Sequence, residues 1–394
     1  MKYTNVAWLM MWTLLSAITE ANEIEIRGRA AIEHRQFFSK GEQGQELYQP
    51  SVFVEPEFYK SFLDNQASVT LIPFLRLDAL DNERTHGDIR EFMARYYYET
   101  GDLEVRFGIG KVFWGVTESQ HLVDIVNQTD AVEAVDGEDK LGQPMLHVSW
   151  YREWGTLDAF LLPYFRERTF AGEDGRLTMP GVDTSAARFE SSEDNRHLDA
   201  AFRYSVRMSS WDAGLSYFQG TGRDPDFIYE GGRLVPYYRQ IKQAGLDFQW
   251  LYGDWSWVAE ALWRDTGSEE YAALTAGFEY SYVGVADSNM DLGLLMEFLR
   301  DSRGQAATTA WQQDLFVGAR LAVNDQEGTE ILFGVTQDLK NSDSRAVKIE
   351  ASSRITNAWT WRINGWLFDG HDPQDPLHIL HKDDYVEVGL EYYY

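Results

Sequence analysis

The sequence predicts an all-β protein: a transmembrane antiparallel β-barrel of eighteen strands, with sixteen as the alternative count. Three observations predict it. Hydrophobic residues recur with a period of two after the first twenty or so residues, the links between these segments alternate short and long, and the chain ends in an aromatic strand. Composition sets the bounds. The 394 residues carry no cysteine, 35 Lys+Arg against 63 Asp+Glu, and a formal net charge of −28. Without cysteine there are neither disulfide staples nor thiolate metal sites. The acidity argues against nucleic acid as a partner, because phosphate binding needs a basic face. Fourteen Trp, 21 Tyr and 22 Phe are a heavy aromatic load for so charged a chain. A barrel in a membrane removes the conflict by giving aromatics to lipid and charges to water.

The N-terminus is read first. Lys2 precedes the apolar run 6–18, and Thr19-Glu20-Ala21 offers a small residue for cleavage. A positive start, an apolar stretch and a small-residue exit describe a signal peptide over 1–21. The run falls short of the roughly 20 residues that span a bilayer. Residues 22–394 then form a single barrel domain, and no later segment reaches helix-spanning length. An exported chain of this kind belongs in the outer membrane of a Gram-negative bacterium.

The strands follow in order. Alternation places them near 23–37, 50–62, 66–79, 88–99, 102–110, 144–151, 156–166, 197–208 and 211–219 in the first half. The second half supplies 237–250, 254–264, 271–282, 290–299, 312–323, 329–338, 345–355, 358–368 and 383–394. In the fifth, Leu103, Val105, Phe107 and Ile109 interleave with Glu104, Arg106, Gly108 and Gly110. Successive strand side chains point to opposite faces, so each segment has an apolar and a polar side. Soluble sandwiches alternate too, so the period alone does not decide. Trp255, Trp257 and Trp263 share one parity, as do Trp359 with Trp361 and Tyr96 with Tyr98, several of them at strand ends where an aromatic girdle would fall. Short links such as 209–210 and 356–357 alternate with long ones at 38–49, 111–143, 167–196, 220–236 and 369–382. Periplasmic turns and extracellular loops produce that pattern.

Water-facing parity then lists the inner wall. On the first eight strands it carries Arg27, Arg29, Arg35, Arg76, Arg95, Arg106, Arg203 and Arg207, with Glu25, Glu33, Glu91, Glu104 and Asp199 among them. On strands ten to fifteen it is mostly acidic: Asp247, Asp254, Glu260, Glu279, Asp291, Glu297, Asp314, Glu330 and Asp338, against Arg320. One wall is mixed to basic and the facing one acidic, which sets up a transverse field that orients dipolar solutes. The acidic excess predicts a preference for cations. A barrel of sixteen to eighteen strands leaves an aqueous channel unless loops fill it, so passage of small polar or charged solutes is the expected function.

Segment 111–143 is the candidate for selectivity. It is too long for an idle link, and its apolar residues Phe113, Trp114, Leu122, Val123, Ile125 and Val126 need a surface to pack on. In a wide barrel that surface is the inner wall, so the segment is expected to fold into the lumen and narrow it. Trp114, His121, Asp124, Asn127 and Asp130 would border the constriction.

Two stretches carry a resemblance. The end, Gly389-x-x-Tyr392-x-Tyr394, resembles the terminal strand signal of bacterial outer-membrane barrels. Gly110-Lys111-Val112-Phe113-Trp114-Gly115, followed by Asn127 and Asp130, is similar to a pattern in porin-like outer-membrane proteins of proteobacteria whose specificity is unknown. Gln128 stands where a proline often follows the asparagine in that pattern. The resemblance implies a porin-like barrel and carries no substrate with it. As partners it implies outer-membrane lipid and lipopolysaccharide, the barrel-assembly machinery acting through the C-terminal strand, and small-molecule solutes. Homo-oligomers are left open, because a pairing face would be as apolar as a lipid face.

Catalytic and cofactor motifs are missing. No His-Glu-x-x-His or Gly-x-Ser-x-Gly occurs, and Gly108-x-Gly110 lacks a third glycine and a following helix. No cofactor or metal is expected. His378 and His381 with Asp383 and Asp384 read as solvated loop, and Asp136-Gly137-Glu138-Asp139 lacks the ligand alternation of a calcium loop. The alternative functions are an outer-membrane enzyme, for which His147 and Ser149 are the only paired candidates, and a filled barrel serving as scaffold or adhesin.

Overall fold

The computed structural model describes residues 24–98, 101–177, 179 and 181–394; the expected signal peptide lies outside these residues. The first strands are β1 (Glu25–Phe37), β2 (Tyr48–Phe62), β3 (Ala67–Asp78), β4 (His86–Tyr97), β5 (Leu103–Gly110), β6 (Gln143–Arg152) and β7 (Gly155–Leu162). Next come β8 (Arg188–Phe189), β9 (Asp199–Arg207), β10 (Trp211–Thr221), β11 (Asp226–Glu230), β12 (Arg233–Tyr238), β13 (Gln240–Tyr252) and β14 (Trp255–Asp265). The last are β15 (Glu270–Tyr282), β16 (Asp291–Asp301), β17 (Gln313–Ala322), β18 (Glu330–Asp338), β19 (Ser344–Arg354), β20 (Trp359–Gly370) and β21 (Tyr385–Tyr393). All but β8, β11 and β12 form one antiparallel sheet of eighteen strands, each paired with its neighbour in sequence. The sheet closes where β21 pairs with β1, from Arg29 opposite Tyr393 to Phe37 opposite Tyr385. Closure leaves no edge to aggregate, and the strand count is the expected eighteen.

Three departures have physical causes. The strand expected over 156–166 stops at Leu162, because Pro163 has no N–H to continue the ladder. Loops read as plain connections hold a second sheet of β8, β11 and β12, in which Tyr237 and Tyr238 pair in parallel with Arg188 and Phe189. Its hairpin turns on Gly231 and Gly232, both at positive φ, as a tight two-residue turn requires. Nor is the length alternation uniform: 266–269 and 339–343, on the long-loop end, are as short as turns.

Facing follows the pattern. Ile32, Phe107, Phe202, Leu215 and Val317 are exposed on the outer surface, while Glu33, Phe160, Glu260 and Phe316 are buried inside. At the short-turn end the outward aromatics gather in a band. Trp150 meets Trp154 at 5.7 Å, Trp154 meets Tyr204 at 5.8 Å, Trp255 stacks on Trp257 at 5.5 Å, and Trp359 meets Tyr392 at 4.9 Å. One place breaks the alternation. Register shifts between Ile72 and Pro73, so that Ile72 pairs with Glu91, Pro73 pairs with Ile89, and Arg90 is the extra residue. The bulge reverses the parity of β4, a usual effect of one inserted residue. Arg90 is buried inside, and Met93 and Arg95 beyond it face inward as well.

Candidate functional site

The interior is crossed by the segment between β5 and β6, residues 111–142, and its base is tied by one side chain. Asn127 accepts from the Val112 N–H at 2.9 Å and donates to the carbonyls of Gly110 at 2.9 Å and Leu141 at 2.8 Å. Both ends of the loop are thus held by three hydrogen bonds from one amide, the full use of its oxygen and two N–H groups. Gly108, at φ +140, lets the strand pass the Phe92 carbonyl where a Cβ would lie 2.0 Å away.

Beyond the base, the expected anchors divide. Trp114, Val123, Ile125 and Val126 are buried against Met93, Met145, Phe160, Leu162, Phe218 and Ile241 of the inner wall. Trp114 meets Phe160 edge-on at 5.7 Å and lies under the Arg203 guanidinium at 5.2 Å. Leu122 packs against the cluster of Leu262, Tyr271 and Ala273, whereas Phe113 stays exposed, its ring T-shaped to His121 at 4.7 Å. Its anchoring role is therefore not found.

On the acidic wall the barrel's carboxylates hold the loop backbone. Glu260 accepts from the N–H of Val116 at 2.7 Å, Thr117 at 3.0 Å and Val123 at 3.3 Å, and from the Thr117 hydroxyl at 2.8 Å. Glu297 accepts from the N–H of Glu118 at 2.8 Å and Ser119 at 2.9 Å. These two residues are 0 % and 2 % exposed. Both lie inside the barrel and face loop amides rather than open water. Glu279 is 3.7 Å from Arg320, which pairs with loop residue Glu118 at 2.7 Å. His121 lies between Glu138 at 2.6 Å and Glu260 at 3.7 Å. Burial opposes its protonation, but the hydrogen bond to Glu138 and the close Glu260 carboxylate outweigh that and push the imidazole up to about 10. Asp124 accepts from the Trp114 N–H at 3.3 Å and pairs with Lys140 at 3.1 Å.

Across the lumen the roles are reversed, and the arginines belong to the barrel. Arg76 forks onto Glu133 of the loop at 2.9 and 2.6 Å and also bonds Glu33. Arg90 bonds Asp130 at 2.6 Å, and Asp130 also accepts from Thr169 at 2.7 Å. Burial would raise the Asp130 carboxyl, but His86, Arg90 and Thr169 hold it well below the carboxylate range. Arg84, carried in by the short loop 79–85, bonds Asp78 at 2.8 Å and the Val132 carbonyl at 3.0 Å. Beside the basic wall, between the loop and β19–β21, lies a cavity of about 90 Å³ lined by charges of both signs, among them Arg29, Lys111 and Arg362 with Asp136, Asp139 and Glu350. The protein atoms crowding the lumen strip solvent from Asp139 and, with the nearby Glu133 and Asp136, raise its carboxyl to about 6 although its surface stays exposed.

The remaining pore-lining candidates scatter. Arg29 reaches the cavity, bonded to Glu55 at 2.9 Å. Arg95 and Arg106 share Glu104 at 3.1 and 2.5 Å, and Arg203 is bidentate on Asp247 at 2.7 and 2.8 Å. Arg27 and Arg207 sit at the short-turn rim, 67 % and 88 % exposed, away from the cavity. Sequence reasoning missed Arg84, Arg90, Lys111 and Glu133. Arg90 is hidden by the bulge and Arg84 by lying in a loop without parity; Glu133, spaced three from Asp130, was the one readable signal.

Catalytic geometry is not found at the candidate pair. Ser149 Oγ and Asp158 Oδ1 both approach the same ring nitrogen, His147 Nε2, at 3.0 and 2.8 Å, so the imidazole cannot pass a proton from one to the other. Asp383 is taken by Arg176 at 2.6 Å and Asp384 by the Phe368 N–H at 2.6 Å, which leaves His378 and His381 stacked on each other at 4.2 Å. His86, Asp130 and Glu133 form the one three-residue set among the described residues close enough to hold a metal ion. Arg90 and Arg76 already occupy those carboxylates, so the set fits a guanidinium network better than an ion.

The fold is similar to solved bacterial barrels along nearly its whole length. A BenF-like porin from Pseudomonas fluorescens Pf-5 is 11% identical with a TM-score of 0.54, over 94% of this chain and 97% of that one. Pseudomonas putida OprB, in its high-pH structure, is 12% identical at 0.47, over 98% and 96%. A mutant of the Rh. blastica porin is 12% identical at 0.47, over 94% and 100%. Identity this low speaks to fold alone. No family model matches the chain, and no curated protein matches it.

Proposed function

We propose that this chain is a porin-like channel of the bacterial outer membrane that passes small polar or charged solutes by diffusion. Segment 111–142 would set the width of the passage. One observation carries the reading: a closed barrel with an apolar, aromatic-banded outside encloses a loop fixed to opposite inner walls, beside a charged cavity. An apolar band with aromatic residues at its border suits lipid and lipopolysaccharide, and a wide barrel with a polar inside suits water. Cleavage after residue 21 and delivery of β21 to the assembly machinery belong to the same reading.

Charges of both signs face the cavity, so the cation preference expected from the net acidity is slight. It should decline as pH falls through about 6, when Asp139 takes up its proton. An enzymatic role has less support, because the candidate Ser-His-Asp group lacks a relay geometry. Purified protein in a planar bilayer is expected to give stepwise conductance. Silent bilayers with a folded, heat-modifiable barrel would overturn the channel reading.

A further inference from the structure

Away from the loop and its cavity, the charged group with the least compensation is Asp314, the second residue of β17. It is 1 % exposed, and its Oδ2 accepts no hydrogen bond. Across the ladder between β17 and β18 it stands directly opposite Asp338, itself buried. Both belong to the inward parity of their strands, shared by buried Phe316 and Thr336. Directly opposed residues place their Cβ atoms about 4.5–5.5 Å apart, and like charges so placed destabilise the pair. On the other side Asp314 pairs with Leu299, which is wholly buried, so solvent does not relieve it there.

The surroundings hold this arrangement in place without neutralising it. Asp338 Oδ1 accepts from the N–H groups of Lys340 at 2.5 Å and Asn341 at 2.9 Å. Asn341 also donates through Nδ2 to Asp375 at 3.0 Å, and Asp375 takes the Leu377 N–H at 2.9 Å. Backbone amides thus engage Asp338 and Asp375, and among the described residues no Lys, Arg or His forms an ion pair with Asp314 or Asp338. Buried charge is ordinarily paired or metal-bound. Here Asp314 Oδ2, left without a donor, and the Asp338 carboxylate are hard oxygen ligands at directly opposed positions of adjacent strands, the donor type a divalent cation takes at about 2.3–2.6 Å.

We propose that Asp314 and Asp338 bind a divalent cation, Ca²⁺ by the chemistry of these ligands, at the long-loop end of the barrel. The ion ties β17 and β18 to the loop over 371–384 and completes its coordination with water and loop oxygens. The proposal does not depend on the channel reading, since it concerns the stability of the rim.

The test uses the full mature chain, refolded and stripped with EDTA, and counts sites by difference from variants. Tb³⁺ luminescence excited through nearby Trp311 should saturate and be displaced by Ca²⁺. Equilibrium Ca²⁺ counting should show one site fewer in both Asp314→Asn and Asp338→Asn. Ca²⁺ should raise the melting temperature of the unaltered chain but not of Asp314→Asn. In EDTA, Asp314→Asn should melt higher than the unaltered chain, because it removes the repulsion, a result that a misfolded variant would not give. Equal Ca²⁺ stoichiometry in all three proteins would overturn the proposal. So would a melting temperature that responds to pH but not to Ca²⁺, which would mean that a shared proton fills the site.

Discussion

The two inner walls grip the same loop by opposite means. On β14 and β16 the barrel supplies carboxylates, Glu260 and Glu297, and the loop answers with backbone N–H groups. On β3 and β4 it supplies Arg76 and Arg90, and the loop answers with the side chains of Glu133 and Asp130. A carboxylate that takes several amides fixes a backbone path whatever the loop side chains are. A guanidinium on a carboxylate fixes one rotamer of one residue. The acidic wall therefore holds the loop through its N–H groups, whereas the basic side pins the Glu133 and Asp130 side chains and, through Arg84 and Arg35, the carbonyls of Val132 and Glu133.

Deleting residues 116–138 breaks both grips and should raise single-channel conductance several-fold in planar bilayers; unchanged conductance would mean that the loop does not limit flow. Removing one grip at a time comes next. Arg76→Ala leaves Glu133 buried without its guanidinium, with His86 3.7 Å away, and takes from Glu33 one of its three arginines, a loss of roughly 3 kcal/mol, measurable by urea unfolding in detergent. Glu260→Ala should cost a comparable amount, because three N–H groups lose their acceptor and a charged His121 loses a nearby carboxylate. The conservative exchanges separate the walls: Glu260→Gln keeps an acceptor oxygen and should recover much of the loss, whereas Arg76→Lys loses the fork and should recover little. Equal rescue on both sides would erase the distinction.

A smaller effect comes from pH. His121 titrates near 6.5 when free and at about 10 here, so its contribution is whole below about 6.5 and disappears as pH rises through about 10. Current noise from loop motion should increase over that window and stay flat in His121→Gln. Smallest of all is Arg27→Ala at the exposed rim, expected to move stability by no more than about 0.5 kcal/mol. A larger shift would show that the Arg27–Glu57 pair counts for more than exposed pairs usually do.

Much of this was legible in the sequence, for identifiable reasons. All eighteen barrel strands follow from the two-residue period, because lipid on one side and water on the other leave each strand one arrangement. Inward placement of Glu260, Glu297 and Arg76 follows from the same parity. What those side chains touch does not: Glu260 looked like pore wall because parity reports a face and says nothing of what lies over it. Arg90 was hidden by one inserted residue, and the hairpin of β11 and β12 was passed over although Gly231-Gly232 marks its turn. The Asn127 and Asp130 element is tied to loop architecture here, one residue closing the base and the other meeting Arg90.

The seam between β1 and β21 selects its own register. Reading inward along β1, Arg29, Ala31, Glu33 and Arg35 stand opposite Tyr393, Glu391, Gly389 and Glu387. Glu33 thus meets the one inward position of that stretch without a side chain, and Arg35 bonds Glu387 at 2.5 Å. A slip of one residue would turn a whole strand face from water to lipid. A slip of two keeps the faces but sets Glu33 opposite Glu387 in one direction and opposite Glu391 in the other. Both misalignments oppose like charges. The joint that closes the barrel, between strands some 350 residues apart in the chain, thus carries its own check on correct closure, with Gly389 as the position that permits it.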